Sequence, residues 1–307
     1  MLRRFFLFLS RSKRMQRFVM NSRLTRRLVQ RFVAGNTLDE AVASGKRLLD
    51  QGIKLTMDHL GESVSTPAEA DEAAHEYHVM LDRIHAEKLD STISVKPSQM
   101  GLVLDPVSCE KRLEALVRKS ADLGLSVEID MEDSPYTQVT LDIYARLLSL
   151  NPKLRVCLQS YLLRSKSDLQ HIIDLKGSIR LVKGAYREPP EVAYQEKHKV
   201  DSNFAEMIEM GLAPSSVEAG FYLALASHDE KLVSFGRDTA RDLGVKQRQF
   251  EFQFLYGIRT DLQLKLAQAG YTVRVYLPYG MEWYPYFMRR LAERPANVLF
   301  LLKQLFR

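Results

Sequence analysis

Charged side chains that could bind an anion lie together in the octet Tyr286-Phe287-Met288-Arg289-Arg290-Leu291-Ala292-Glu293. On a helix, residues 286, 289, 290 and 293 share one face. Adjacent guanidinium groups repel each other and are costly to desolvate, so an anionic group is expected between Arg289 and Arg290. Guanidinium forks match the geometry of carboxylates and phosphates. The octet therefore indicates an anion-binding helix, and a solvent-exposed basic helix face is the alternative.

Further polar side chains follow seven apolar segments that are typical of β-strands. These strand ends are Ser94-Val95-Lys96-Pro97, Glu128–Asp133, Leu158-Gln159-Ser160, Arg180–Tyr186, Ala226–Asp229, Glu251–Gly257 and Arg274–Pro278. One polar strand end is common in any protein. Seven of them indicate a functional site where the carboxyl ends of the strands meet.

Three carboxylates alternate along one of these segments, at residues 128, 130 and 132. Alternation places them on one side of a strand, where they could catalyse glycoside hydrolysis or hold a divalent cation. Five cations would neutralise such a carboxylate pair: Lys96, Arg180, Lys183, Arg289 and Arg290. That surplus favours an anionic substrate together with a phosphate-bearing cofactor. The slim backbone of Lys183-Gly184-Ala185 could lie against such a ligand.

The elements that would position these residues alternate along the chain from about residue 50 onward. The predicted strands are Ile53–Met57, Thr92–Lys96, Ser126–Met131, Leu154–Gln159, Ile179–Lys183, Phe221–Ala226, Gln249–Gln253 and Thr272–Leu277. The predicted helices include Ala68–Glu87, Ser108–Leu123, Thr137–Ser149, Lys166–Asp174, Lys231–Leu243 and Asp261–Ala269. N-cap residues are expected at Thr66, Asp105, Ser165 and Asp229. C-cap glycines are expected at Gly124, Gly177, Gly244 and Gly270.

Eight strands that alternate with helices predict an α/β fold of the (β/α)8 barrel type. A doubly wound open sheet is the rival, but it would normally bind a dinucleotide through Gly-x-Gly-x-x-Gly, and none of the 15 glycines forms that pattern. No Walker loop is present either. We therefore expect one barrel domain over residues 51–307, preceded by a basic helical arm over residues 1–50.

Composition restricts the remaining classes. Apolar residues form 46% of the 307 residues, as in globular proteins with a sizeable core. Cys109 and Cys157 form no metal spacing and no disulfide framework, which indicates a reducing compartment. The seven histidines include no His-Glu-x-x-His motif, so no metal site is expected.

The positive charge is concentrated at the N-terminus. Residues 1–35 contain ten of the 44 Lys and Arg residues and no acidic residue, which leaves 34 basic against 38 acidic side chains in the rest of the chain. Apolar residues such as Phe5, Phe8, Phe18 and Leu28 recur there at helical intervals. This pattern favours contact with an anionic membrane surface over nucleic-acid binding. Packing of the arm on the body stays open. The apolar run Phe5–Leu9 is too short to span a bilayer.

Six segments together resemble the proline dehydrogenase family, in that family's order and from about residue 50 to the end. They are Ser94-Val95-Lys96, Ile129–Glu132, Arg180–Tyr186, Glu251–Gly257, Val273–Pro278 and Tyr286–Glu293. The resemblance, to the monofunctional bacterial form, implies a distorted (β/α)8 barrel whose last helix lines the active site. It implies oxidation of L-proline to Δ1-pyrroline-5-carboxylate by hydride transfer to FAD, with a membrane quinone as electron acceptor. This reaction is the first step of proline catabolism to glutamate, and a cytoplasmic enzyme peripheral to the inner face of the cell membrane is expected.

The same resemblance implies roles for individual residues. Asp130 would lie near the reacting amine, and Arg180 would approach the flavin N5 region. The substrate-binding residues would be Lys96, Arg289 and Arg290 for the carboxylate, Glu293 to orient the two arginines, and Tyr186, Leu255, Tyr276 and Tyr286 around the ring. Other FAD contacts would be Met131, Gln159, Lys183, Gly184, Ala185, Ser227 and His228. An aromatic side chain at Tyr276 would favour plain proline over hydroxyproline.

Two rival functions follow from the residues alone. A barrel hydrolase or lyase could use Asp130 and Glu132, and metal-dependent turnover without flavin would favour it. A scaffold that binds lipid or nucleic acid through its basic arm would lose all activity without residues 1–35 and would be insensitive to changes at the strand ends.

Overall fold

The structure is a computed structural model of the chain, described for residues 31–61 and 64–283. Residues 1–30, which form most of the basic arm, lie outside the described residues. The predicted anion-binding octet, with Tyr286, Arg289, Arg290 and Glu293, also lies outside them. The domain boundary at residue 50 therefore stays a prediction.

Eight parallel strands close into a barrel in chain order, each strand paired with its sequence neighbours and β1 paired with β8. The strands are β1 Lys54–His59, β2 Ser91–Val95, β3 Val127–Ile129, β4 Arg155–Gln159, β5 Ser178–Val182, β6 Tyr222–Ala226, β7 Phe250–Leu255 and β8 Val273–Tyr279. Every predicted strand is confirmed, with bounds that differ by at most two residues.

Helices connect the strands on the outside of the barrel. They are α1 Leu38–Leu49, α2 Pro67–Ala86, α3 Pro106–Asp122, α4 Thr137–Leu147, α5 Ser165–Asp174, α6 Lys197–Leu212, α7 Pro214–Ala219, α8 Glu230–Asp242 and α9 Thr260–Gln268, with 3₁₀ turns at Ser134–Tyr136 and Leu148–Leu150. The (β/α)8 barrel is confirmed. Helix α1 buries Ala41 and Val42 in the same hydrophobic core as the barrel strands. No helix in the described ranges is long and apolar enough to cross a membrane.

Three of the four predicted N-caps are confirmed. The side chains of Thr66, Asp105 and Asp229 accept hydrogen bonds from the first backbone N–H groups of α2, α3 and α8. The prediction for Ser165 is wrong, because α5 begins at Ser165 itself. Its hydroxyl donates to the carbonyl of Gln159 instead. This bond ties the start of α5 to the carboxyl end of β4.

The C-cap glycines also differ from expectation at one position. Gly124, Gly244 and Gly270 have positive φ, as predicted, whereas the left-handed residue after α5 is Lys176 with φ 57°. Gly177 has another reason to be glycine, since a Cβ there would lie 2.4 Å from the Tyr144 hydroxyl. That hydroxyl accepts from the backbone N–H of Ser178 at the start of β5.

The strand order determines which strand ends are neighbours. Strands β8, β1, β2 and β3 are consecutive around the barrel, so the residues at their carboxyl ends can meet directly. Strand β5 lies across the barrel from β1. A long side chain on β5 is therefore needed to join the two halves, and Arg180 occupies that position.

Candidate active site

Four of the predicted site residues converge at the carboxyl edge of the barrel. The Arg180 guanidinium donates to Asp130 Oδ1 at 2.6 Å. The Tyr276 hydroxyl donates to Asp130 Oδ2 at 2.9 Å, and Lys96 Nζ lies 3.3 Å from the same oxygen. Lys96 also donates to the Tyr276 hydroxyl at 3.2 Å, and the Arg180 guanidinium lies 5.0 Å from the centre of the Tyr276 ring. Asp130 therefore links both cations and the aromatic side chain.

Asp58, at the carboxyl end of β1, is a fifth member of this cluster. Lys96 Nζ donates to Asp58 Oδ1 at 2.9 Å. The Asp58 side chain is 0% exposed, whereas Lys96 is 27% exposed. The hydroxyl of Tyr77 on α2 lies 3.5 Å from Asp58 Oδ1 and donates to Gln99 at 2.9 Å. The Lys96 ammonium thus lies between two carboxylates.

An ionic layer fills the barrel below this cluster. Arg155 Nη1 contacts Glu128 Oε1 at 2.9 Å and Glu251 Oε1 at 2.7 Å. Arg274 pairs with Glu251 at 2.9 Å and donates to the carbonyl of Leu55 at 2.7 Å. All of these charged side chains are at most 8% exposed. Burying so many charges is costly unless each is paired and hydrogen-bonded, which these are.

Arg180 connects the ionic layer with the cluster of Lys96, Asp130 and Tyr276 above it. Its guanidinium contacts Glu128 below and Asp130 above, and it also donates to Gln253 at 2.7 Å and Ser94 at 3.0 Å. A planar guanidinium has five donors and can satisfy these four partners at once, whereas a lysine ammonium has only three donors.

The charges of the ionic layer and of the cluster above it balance within the described residues. Four carboxylates and four cations make up the set: Asp58, Glu128, Asp130, Glu251, Lys96, Arg155, Arg180 and Arg274. An added substrate carboxylate would give the site a surplus of negative charge. Arg289 and Arg290, which are predicted to bind an anion, lie outside the described residues.

Burial and ion pairing shift the pKa values of these groups in opposite directions. Burial raises the pKa of Asp58 above its ordinary value, despite the neighbouring Lys96. Burial also opposes ionisation of Asp130, but Lys96 and Arg180 outweigh it and lower its pKa. The burial of Lys96 is likewise outweighed by Asp58 and Asp130, which raise its pKa. Lys96 is therefore charged, and Asp130 is an ionised carboxylate with little tendency to take up a proton.

The predicted cofactor residues line the adjacent edge, where β4, β5 and β6 end. The Gln159 amide donates to the carbonyl of Glu132 at 2.8 Å. Lys183 Nζ lies 2.6 Å from Asp201 and 2.9 Å from Asp229. His228 Nε2 accepts from the backbone N–H of Leu255 at 3.0 Å, so the proton of a neutral imidazole is on Nδ1.

The other predicted residues lie around this edge. Met131 is buried, while Gly184, Ala185 and Tyr186 form the rim after β5, with Tyr186 42% exposed. Tyr186 lines a cavity of about 200 Å³ that Tyr161 and Tyr194 also border. The hydroxyl of Ser227 accepts from the backbone N–H of Asp229 at 3.2 Å. These residues share the carboxyl edge with the Lys96 cluster.

The three alternating carboxylates do not act as one group. Glu128 and Asp130 both project toward Arg180, as alternation predicts. Glu132 instead accepts from the backbone N–H of Ser98 at 2.7 Å and from its hydroxyl at 2.5 Å. Within the described ranges, no three His, Cys, Asp or Glu side chains are arranged to hold a metal ion. A carboxylate pair so tightly bound to cations is poorly suited to acid–base hydrolysis.

Sequence reasoning missed Asp58 and the partners in the ionic layer. Asp58 was missed because the first strand was predicted to end at Met57, two residues before its observed end at His59. The rule that polar residues at strand ends mark the site would otherwise have included it. The pairing of Arg155 with Glu251 joins residues 96 positions apart, and no local signal reveals it.

The chain is similar to known proteins along most of its length. A family model described as Proline dehydrogenase matches residues 41–303. The chain belongs to the proline dehydrogenase family. Membership places it among oxidoreductases that act on proline, in proline catabolism.

Several members of the proline dehydrogenase family are similar to this chain over most of their length. Proline dehydrogenase 1 of Bacillus subtilis (strain 168) is 40% identical over 303 residues, which cover 99% of this chain and 98% of the relative. Proline dehydrogenase of Deinococcus radiodurans is 38% identical over 281 residues, 90% of this chain and 89% of the relative.

A solved structure shares the barrel fold. Proline utilization A from Bdellovibrio bacteriovorus, inactivated by N-propargylglycine, superposes with a TM-score of 0.81 at 23% identity. The match covers 87% of this chain and 32% of that much longer protein. At this identity the likeness supports the fold alone.

Proposed function

We propose that this chain oxidises L-proline to Δ1-pyrroline-5-carboxylate with FAD as the resident cofactor. The observation that carries the proposal is the cluster of Lys96, Asp130, Arg180 and Tyr276 at the carboxyl edge of the barrel. This cluster combines cations for a carboxylate, an aromatic side chain beside them and a fixed carboxylate. A small imino acid needs all three features to be held in one orientation.

The residues at the adjacent edge fit a flat, phosphate-bearing cofactor. Gly184 has φ +113°, and a Cβ there would lie 2.2 Å from the Tyr161 ring, so only glycine allows the backbone to lie so close to that ring. Lys183, which is shared between Asp201 and Asp229, supplies a cation at this edge, and Gln159, Ser227 and His228 supply polar atoms. Met131 and Ala185 would complete the contacts with FAD. When bound, FAD supplies the two-electron acceptor for the reaction.

The chain itself would hold the substrate by its carboxylate and its ring. Lys96 presents a charged ammonium that is partly open to the site. Arg289 and Arg290 would complete the grip on the carboxylate, with Glu293 orienting them. Tyr276, Tyr286, Leu255 and Tyr186 would enclose the ring and exclude water. Excluding water strengthens each of these charge interactions.

Oxidation removes a hydride from the ring carbon next to nitrogen and a proton from nitrogen, and leaves a C=N bond. Asp130 is held ionised by Lys96 and Arg180, so its main contribution is electrostatic: it orients Arg180 and Tyr276 and stabilises the positive charge that develops on nitrogen as the hydride leaves. Deprotonation of the amine by solvent is therefore favoured over deprotonation by Asp130. Arg180 would place its positive charge close to the electron acceptor, which favours acceptance of a hydride.

We further propose that electrons pass to a membrane quinone and that the enzyme is peripheral at the inner face of the cell membrane. The basic and amphipathic composition of residues 1–35 supports contact with anionic lipid. Co-sedimentation with vesicles of anionic and of neutral lipid, for the full chain and for a variant without residues 1–30, tests this part. Equal binding of both proteins to both kinds of vesicle would refute the role of the arm.

The main test is an absorbance spectrum under anaerobic conditions before and after addition of L-proline. The purified protein is expected to be yellow, and proline should bleach the flavin band near ~450 nm. A colourless protein that FAD does not reconstitute would refute the proposal. Bleaching by D-proline or by pyrrolidine to the same extent would refute the proposed grip on the carboxylate.

A further inference from the structure

The contact between Asp58 and Lys96 raises the question of why a carboxylate is buried at the end of β1. Asp58 is 0% exposed, and burying a carboxylate is unfavourable unless its charge is compensated. Among the described residues, its ion pair is with Lys96 at 2.9 Å. The ion pair with Lys96 is therefore the interaction that compensates the burial of Asp58.

Asp130 cannot replace Asp58 in this role, because other groups already hold it. Arg180 donates to Asp130 Oδ1 at 2.6 Å, Ser94 to the same atom at 2.8 Å and Tyr276 to Oδ2 at 2.9 Å. Lys96 lies farther from Asp130, at 3.3 Å, than from Asp58. Asp58 is thus the carboxylate that positions Lys96, and Asp130 is the carboxylate that positions Arg180.

A lysine side chain has four flexible bonds, so its ammonium needs a fixed partner to stay in one place. Asp58 is rigidly placed, because β1 pairs with β8 at Asp58 and Pro278, and the Tyr77 hydroxyl on α2 lies beside it. The ammonium has three donors. Asp58 and Tyr276 each accept one of them, Asp130 lies farther away at 3.3 Å, and the Lys96 side chain keeps 27% of its surface exposed.

We propose that Asp58 is a positioning residue, which holds the Lys96 ammonium where it receives the carboxylate of the imino acid. This inference rests on the proposed oxidation of proline. Asp58 is fully buried behind Lys96, so it acts through that side chain and does not touch the substrate. Without Asp58, Lys96 would turn toward Asp130 and away from the substrate carboxylate.

The test is a double-mutant cycle on the FAD-loaded enzyme, with the wild type, Asp58→Asn, Lys96→Met and the double variant. The measured quantities are the KM and kcat for L-proline and the inhibition constants of two partial substrates. Cyclopentanecarboxylate has the carboxylate and no amine, and pyrrolidine has the amine and no carboxylate. Leu55→Val, also on β1 and fully buried, is the control for a general loss of packing.

In the wild-type background, Asp58→Asn is expected to raise the KM for proline and the inhibition constant of cyclopentanecarboxylate about tenfold, within the range measured for contacting residues. The constant for pyrrolidine should change less than about twofold, since it has no group for Lys96. In the Lys96→Met background, Asp58→Asn should have no further effect on carboxylate binding. Leu55→Val should not separate the two partial substrates.

Equal weakening of both partial substrates, or an additive effect of Asp58→Asn in the two backgrounds, would overturn the inference. If Asp58→Asn does not yield loaded enzyme, Asp58→Glu keeps the charge and displaces the ammonium by about one methylene. Asp58→Glu is then expected to weaken the binding of cyclopentanecarboxylate but not of pyrrolidine. If it does not, Asp58 is not the residue that positions Lys96. A wild type that does not oxidise proline refutes the proposed function, whereas turnover with an additive cycle refutes only the role of Asp58.

Discussion

Replacing Arg180 by lysine should reveal how much of the site depends on the guanidinium fork. The substitution keeps the positive charge but cannot span Glu128 and Asp130 while also reaching Gln253. Two charge-assisted hydrogen bonds are lost or weakened, each worth about 1.5–3 kcal/mol. Breaking a buried ion pair costs a similar total of about 3–5 kcal/mol. We expect the free energy of unfolding to fall by about 3 kcal/mol, because the retained charge compensates in part.

The free energy of unfolding of Arg180→Lys can be measured by urea denaturation followed by circular dichroism. Arg146→Lys is the matched control, since Arg146 forms the same kind of two-bond pair with Glu110, at 2.7 and 2.8 Å, but is 54% exposed. A surface pair of this kind should contribute less than about 1 kcal/mol. If Arg180→Lys lowers the free energy of unfolding as little as Arg146→Lys does, the stability of the barrel interior does not depend on the Arg180 guanidinium.

Three further outcomes can be tested directly. Tyr276→Phe removes the hydroxyl that donates to Asp130 at 2.9 Å and accepts from Lys96. The kcat/KM for proline in steady-state assays should therefore fall about tenfold. An unchanged kcat/KM would contradict a role for these contacts. Cys109 and Cys157 are buried, and burial raises the pKa of each thiol to about 12, so Ellman's reagent at neutral pH should label neither until the protein is unfolded. Burial of Glu251 is outweighed by Arg155 and Arg274, and its pKa lies below its ordinary value of 4.5. The stability that ionised Glu251 contributes is therefore fully present above about pH 4.5 and is lost as the pH falls through its lowered pKa. Glu251→Gln should lower the free energy of unfolding at neutral pH. The further decrease between neutral and acidic pH, measured by urea titration, should be smaller in the variant than in the wild type.

The barrel could be predicted from the sequence because its signals are local. Each strand is a short apolar run, and three of the four predicted N-caps lie where a side chain satisfies backbone N–H groups of the helix that follows. Lys176 shows the limit of such signals. Glycine usually adopts positive φ after a helix, but after α5 Lys176 does so, and Gly177 lies where the Tyr144 hydroxyl approaches the backbone.

The site could be predicted only in part, for a physical reason. Strand ends of a parallel barrel meet at one edge, so Lys96, Asp130, Arg180 and Tyr276 could be grouped without knowledge of their contacts. The contacts themselves depend on which strands are neighbours and on side-chain length. The pairing of Lys96 with Asp58 required the exact end of β1, which apolar periodicity does not define to within a residue.

The ionic layer explains why the barrel interior is not simply apolar. Replacing a buried ion pair by well-packed apolar side chains is often neutral or stabilising, so Glu128, Arg155 and their partners are weak contributors to stability as a set. They do, however, determine the direction of Arg180, because its guanidinium contacts Glu128 below and Asp130 above. Asp130 in turn fixes the Tyr276 hydroxyl at 2.9 Å. An apolar interior would leave these groups free to collapse onto one another, and the charged edge that receives the substrate would lose its geometry.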